Sequence, residues 1–401
     1  MKYIVLVADG MADYPMEELG GRTPLEAAKT PNMDFIARNG RLGTIKTVPD
    51  KMTPASDVAN MSILGCDPQK YYAGRGPLEA MNLGVELGPD DVAFRCNLVT
   101  ISDGAMRDYS AGHISSAEAA ELIKAVDAAL GNEQFKFFPG VSYRHLLLVK
   151  SGALQQLEKV DCKAPHDILG QPIDKNMPSG KNAEVVSDLM LRSKDILSKQ
   201  EINQVRIDLK ENPANMIWLW GQGKKISMPT FKERYNLNGS VISAVDLIKG
   251  LGRMLGLDVV NVPGATGYYD TDYEGKANAA INCLAKDDFV FVHVEAPDEA
   301  GHNGDLREKI LAIERFDQHI VGGILAAFKK SGAFRVLVLP DHATPVSLRT
   351  HTNDVICFGL FGKGITGRGF AGYSEKEAQK SDLYFENGSE LMDFFIKSDS
   401  I

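Results

Sequence analysis

Three short apolar runs, far apart in the chain, each stop at residues able to hold a cation. YIVLVA (3–8) runs into Asp9, FVFVHV (289–294) into Glu295 and then Asp298, and RVLVLP (335–340) into Asp341 and His342. Runs this short and this continuously apolar read as strands covered on both faces, as in a mostly parallel sheet. Periodic segments between them read as helices. One opens at Thr30-Pro31, one covers 240–255 with Ser240 as its cap, and two more span 274–285 and 306–330. Strand alternating with helix gives an α/β fold, an open sheet with right-handed crossovers. The carboxyl ends of its strands converge on one edge, so three distant segments could share one pocket.

The middle of the chain breaks this alternation. Residues 92–101 and 143–149 are strand-like, and Ser115 with Glu118 makes a capping-box pattern before a helical run to about residue 130. A Pro-, Gly- and Asp-rich stretch over 161–182 reads as loop, a polar helix follows near 183–199, and MIWLW (216–220) resumes a buried strand. The economical organisation is a smaller α/β domain, 71–214, inserted into a core built from 1–70 and 215–401. Trp218 and Trp220 are expected in core packing rather than base stacking.

Charge and cysteines narrow the partners. With 44 Lys plus Arg against 53 Asp plus Glu, the net charge is -9, which argues against nucleic acid or an anionic membrane as the main partner. At 44% hydrophobic residues the chain is too apolar for intrinsic disorder. Five scattered cysteines without a C-x-x-C pair suit free thiols in a reducing compartment. Asp9 interrupts the first apolar run before signal or membrane-spanning length, so the expected location is cytoplasmic. Oligomeric state stays open.

Asp298 and His302 are spaced D-x-x-x-H, Asp341 and His342 are adjacent, His351 follows nearby, and Asp9 comes from the first run. This many carboxylates and imidazoles make the ligand set of a Mn-like divalent cation. Any one element is explained as well by a polar turn or an exposed helix pair; their joint placement after buried strands carries the metal reading. Ser56, in TPASDVANMSILG, has two readings: a helix cap accepting an amide hydrogen bond, or a nucleophile activated by a metal at a helix N-terminus that favours a phosphorylated product. GRG (74–76) and GKG (362–364) lack the full phosphate-loop pattern.

At these residues the sequence resembles the alkaline phosphatase superfamily, and within it the archaeal-type cofactor-independent phosphoglycerate mutases. The blocks are VADGMADYP, TPLEAAKTPNMD, TPASDVANMSILGCDP, YYAGRGPLEA, EAPDEAGHNGD, and PDHATP with THTNDV. The resemblance implies that Asp9, Ser56, Asp341 and His342 hold one metal and Asp298, His302 and His351 the other. It implies two divalent cations, Mn in the first place with Mg, Co or Zn as alternatives, and no bisphosphoglycerate cofactor. It further implies a glycolytic and gluconeogenic isomerase that moves a phosphoryl group between the 3- and 2-oxygens of glycerate through phospho-Ser56. A small anionic phosphorylated substrate needs cations, and Arg75, Arg95, His113 and Arg144, in or beside the insert, with Lys249 in the core, are the candidates. Each could equally be a surface ion-pair partner or a helix-end residue. A metal-dependent phosphatase or phosphodiesterase of the same superfamily would use the same metals and serine, and a catalytically silent metal-stabilised protein is the alternative outside enzymes.

Overall fold

Ile4 to Ala8 are wholly buried because their strand lies between two parallel neighbours. The structure, a computed structural model, describes residues 1–329 and 332–401. Its strands are β1 (Lys2–Ala8), β2 (Arg41–Ile45), β3 (Val92–Ser102), β4 (Ala105–Asp108), β5 (Phe135–Phe138), β6 (Arg144–Val149), β7 (Met216–Lys224), β8 (Gly239–Ile242), β9 (Asp258–Val260), β10 (Phe289–Val294), β11 (Phe334–Leu339), β12 (Ile356–Gly362) and β13 (Tyr384–Phe385). Two compact units contain them, Met1–Tyr72 with Met228–Ile401, and Ala73–Ser227.

In the first unit the sheet order is β13-β2-β12-β11-β1-β10-β8-β9, and β12 alone runs against the others. This is the open, mostly parallel α/β architecture expected from the apolar runs. Ile4, Leu6 and Ala8 join one apolar cluster with Ile36, Ala277, Ala312 and Phe316 of the covering helices, the period-2 signature of one sheet face. The ends of β1, β10 and β11 therefore carry Asp9, Glu295 to Asp298, and Asp341 to His342 to the same edge.

Local expectations differ in three places. Thr30 makes no side-chain cap on the helix Pro31–Asn39; Asp317 does the work, accepting Asn32 N at 3.2 Å and Met33 N at 2.7 Å. Ser240 lies in β8, and the helix begins only at Asp246, because Gly239–Ile242 pairs in register with Phe289–Val292 and tertiary pairing overrides the local helical pattern. The helical run expected over 306–330 is Leu306–Arg315 and Gly322–Phe328 joined by a π-helical segment, Phe316–Val321; position 330 falls outside the described residues.

The second unit is antiparallel, β4-β3-β6-β5, with β7 pairing along β3. Here the expected boundary moves. MIWLW continues this sheet rather than resuming the first unit's, because Trp218, only 1% exposed, completes this unit's own apolar cluster and Trp220 Nε1 donates to Asn97 Oδ1 at 3.1 Å. The unit thus ends at Ser227, not 214. Its helix Ser116–Leu130 starts with the Ser115–Glu118 capping box. All five cysteines are free, and among the described residues no helix is long and apolar enough to cross a membrane.

Lys309 pins the edge from beneath. Its Nζ donates to Asp13 Oδ2 at 2.7 Å, Thr344 O at 2.8 Å and Ala12 O at 3.3 Å, so it ties the segment after β1 to the segment after β11. Both side chains of the Lys309–Asp13 pair are fully buried. Lys309→Met removes the counter-charge of the buried Asp13 carboxylate and should cost about 3–5 kcal/mol in chemical denaturation, whereas adding Asp13→Leu should recover only part of that loss, because Asp13 also accepts Tyr14 N and Val346 N.

Candidate metal centre and nucleophile

The residue that caps the helix Ser56–Ile63 is Ala55, with extended backbone, so Ser56 is the first helical residue and its hydroxyl is not spent on an amide. Ser56 Oγ instead lies 3.1 Å from His342 Nε2. The helix is fastened to the end of β11 by Asn60, whose Nδ2 donates to Ser56 O at 2.8 Å and to Asp341 Oδ2 at 2.7 Å. Gly10, at φ 60°, is required here: a Cβ would sit 2.7 Å from Asp298 Cα and 2.5 Å from Asp298 Oδ1.

Three histidines have their tautomers set by what their Nδ1 atoms meet. His302 Nδ1 lies 3.1 Å from Arg349 O and His351 Nδ1 3.3 Å from Pro54 O; a carbonyl only accepts, so both Nδ1 atoms carry the proton. Thr344 donates its hydroxyl proton to Asp298 Oδ1, so toward His342 Nδ1, 3.2 Å away, it can only accept. In the neutral form of each ring the Nε2 atom therefore presents its lone pair inward, and when protonated it donates there instead. His302 Nε2 and His351 Nε2 face each other at 2.9 Å, with Asp298 oxygens 3.2 Å and 3.5 Å away. Two lone pairs at that distance repel unless a proton or a metal lies between them.

The carboxylates complete the picture. Asp9 is wholly buried, its two oxygens have no hydrogen-bond partner among the described residues, and His342 Nε2 is 3.4 Å from Oδ1. Burial, reinforced by the charges of Asp341, Asp298 and Glu295, pushes its carboxyl well above the ordinary range. Burial also opposes ionisation of Asp298, but the bonds from His302 and His351 outweigh it and hold that carboxyl well below its usual value. His302 is pushed up to about 9, burial opposing and Asp298 prevailing. Donor atoms lie within 4.8 Å of one another in the groups Asp9–His293–Asp341, Asp298–His342–His351 and Asp9–Glu295–Asp298. Unpartnered buried oxygens and inward lone pairs, without a thiolate, fit divalent cations of the Mn type. The seven residues expected to bind metal are thus brought to one edge, with Asp9 and His342 at the junction of the expected sets.

In the second unit, Arg75 and Arg95 place their guanidinium carbons 5.3 Å and 5.1 Å from the Trp220 ring, with Arg144 close enough to depress Arg95 electrostatically. Burial, only partly offset by Glu79, takes Arg95 down to about 10. Arg95 Nε, Arg144 Nε and His145 Nε2 are buried without a hydrogen-bond partner among the described residues. His113 stands apart on an exposed turn at φ 52°, touching this group only through the Tyr143 ring at 6.3 Å. Lys249, on Asp246–Met254 in the first unit, lies 3.9 Å from Asp246 Oδ1 and next to the buried Lys276.

A sequence profile of the 2,3-bisphosphoglycerate-independent phosphoglycerate mutases matches residues 37–203. Over 99% of its length the chain is 52% identical to the enzyme of that name from Methanosarcina barkeri, covering all of the relative. It is 49% identical over 99% of its length to the Methanothrix thermoacetophila enzyme, again covering all of it. The chain belongs to the 2,3-bisphosphoglycerate-independent phosphoglycerate mutase family. Among solved structures, a Pyrococcus horikoshii protein superposes with a TM-score of 0.84 at 28% identity, covering 100% of this chain and 98% of that one. The cofactor-independent phosphoglycerate mutase of Thermoplasma acidophilum gives 0.67 at 28% identity, with both chains covered completely.

Sequence reasoning named Glu295 only as the residue that ends FVFVHV, and it did not single out His293, Thr344 or Lys276, which the fold brings to the same edge. His293 had a signal: it is the lone polar residue inside FVFVHV, one step from the strand's end. Lys276 had none, since its burial and its 3.1 Å bond to His293 O depend on the packing of its helix. Protein stripped with chelator should melt higher when Mn is restored, by about 2.7 kcal/mol of stability at a hundredfold excess over Kd. With His302 as a cation ligand, as the resemblance implies, its proton, held up to about pH 9, must leave on binding, so Mn affinity should rise with pH by about tenfold per unit below that value, as measured by calorimetric titration.

Proposed function

We propose that the chain interconverts 3-phosphoglycerate and 2-phosphoglycerate through a phosphoserine at Ser56, beside two divalent cations of which Mn is the preferred identity. Family membership supports the overall reaction. The chemical route rests on one observation, a serine hydroxyl free of capping duty whose Oγ meets an inward-facing imidazole nitrogen at 3.1 Å. One cation is assigned to Asp9, Ser56, Asp341 and His342 and the other to Asp298, His302 and His351. Bound there, they would supply Lewis-acid stabilisation of the attacking and leaving oxygens.

Ser56 Oγ bonds to phosphorus as the glycerate 3-oxygen departs; glycerate then turns and its 2-oxygen takes the phosphoryl group back. Ser56 stands at a helix N-terminus, where the amide dipoles favour the dianionic phosphoserine. Asn60 holds both that helix turn and Asp341, which fixes the serine relative to the metal-facing carboxylate. The arginines of the second unit supply what a glycerate carboxylate needs, planar donors, and Arg95 and Arg144 each keep a buried Nε without a hydrogen-bond partner among the described residues. Keeping water from phospho-Ser56 is the task we assign to that unit as a lid. A cytoplasmic location belongs to the same proposal.

Mn-loaded protein mixed with 3-phosphoglycerate should yield 2-phosphoglycerate without free phosphate, and quenched turnover mixtures should carry phosphate on Ser56 by peptide mass spectrometry. Phosphate release in place of isomer would favour the phosphatase reading. Ser56→Ala should lower turnover by at least about a thousandfold with an unchanged melting curve. Arg75→Ala and Arg144→Ala should each cost about 1.5–3 kcal/mol in kcat/KM or divert turnover to free phosphate; unchanged values in both would return these arginines to a structural role.

A further inference from the structure

His293 belongs to neither expected ligand set, yet it is the imidazole nearest the most exacting carboxylate in the fold. It lies in β10, wholly buried, with Nε2 3.1 Å from Asp9 Oδ2. That contact lacks the direction of a hydrogen bond: Nε2 has no partner among the described residues, and neither do the two Asp9 oxygens. The same three side chains, Asp9, His293 and Asp341, bring donor atoms within 4.8 Å of one another. On the far side of the ring, Nδ1 lies 3.4 Å from Ser243 Oγ, an oxygen that also accepts Val245 N at 2.9 Å. In the tautomer with the proton on Nδ1, for which Ser243 Oγ can accept, the ring offers an Nε2 lone pair to the point that Asp9 and Asp341 already face. Orphaned atoms buried in this way are costly unless a partner arrives.

We propose that His293 Nε2 is a further ligand of the cation assigned to Asp9, Ser56, Asp341 and His342. The inference rests on the two-metal reading above and extends it. Four protein donors leave two positions open on a six-coordinate ion, and a fifth narrows the opening to one, the number a single substrate oxygen requires. An added imidazole also tilts the site from Mg toward Mn, Co or Zn, since nitrogen donors suit the latter and oxygen donors the former.

Cobalt(II) tests this in the full chain, by calorimetry for stoichiometry and by proton NMR for ligands. Each histidine bound through Nε2 carries an exchangeable Nδ1–H whose resonance moves far outside the diamagnetic range. Wild-type protein holding two cobalt ions should show four such resonances, from His293, His302, His342 and His351. His293→Asn should lose one of the four and weaken one of the two cobalt sites at least about tenfold. Two bound ions with only three shifted resonances would overturn this inference and leave the two-metal reading standing, as would a folded His293→Asn protein that keeps all four. Fewer than two bound ions in wild type would overturn both. Should His293→Asn fail to fold, the wild-type count alone decides.

Discussion

Buried negative charge at one sheet edge is the constraint around which the first unit is arranged. Asp9, Asp298 and Asp341 are at most 3% exposed, and Asp9, Glu295 and Asp298 bring oxygens within 4.8 Å of one another. At such spacing each like-charge pair costs about 4 kcal/mol even at an effective dielectric near 20. Two buried lysines offset part of this from the flanks: Lys309 through Asp13 and Thr344 O, Lys276 through His293 O. Neither lysine bonds at the centre, where Asp9 keeps both oxygens unpartnered among the described residues. Under the two-cation reading proposed above, the remaining charge is met by bound cations, and the protein's stability and its chemistry would draw on the same ions.

Backbone carbonyls then turn a charged edge into an oriented one. Pro54 O comes from the segment before Ser56, and Arg349 O from the turn before His351, so the residues that set the tautomers of His351 and His302 lie beside the groups those imidazoles serve. Thr344 does the same for His342 while binding Asp298. Such outer contacts fix ring orientation and raise ligand basicity at little cost, because the lost rotamer freedom has already been given up in folding.

Much of this edge was legible in the sequence, since YIVLVA, FVFVHV and RVLVLP each announce a strand buried on both faces and name the acidic residue that ends it. What stayed hidden depended on distant pairing. Ser240 looked like a cap until its pairing partner across the sheet, Val290, was in place, and MIWLW is as apolar as any core strand of the first unit, so only its register against β3 assigns it to the second. Asp317 caps a helix 285 residues away, which no local pattern signals. Thr344 and Lys309 escaped for the same reason: an ordinary threonine and a helix lysine acquire meaning only through the atoms that packing brings to them.

Ser56 shows how a small local change separates a helix cap from a hydroxyl left open to chemistry. Had Ser56 been the N-cap, its oxygen would face the helix amides and be lost to chemistry. Moving the cap back one residue, to an alanine that contributes no competing oxygen, turns Oγ toward His342, while Val58 N of the first turn is taken by Asp57 Oδ1. Asn60, one helical turn on, cannot be exchanged for an apolar residue without taking a donor from Asp341 Oδ2, so the proposed nucleophile and one of the proposed cation ligands are positioned by one side chain. The direction of the serine hydroxyl is therefore set by which residue ahead of it begins the helix and which residue behind it holds the turn.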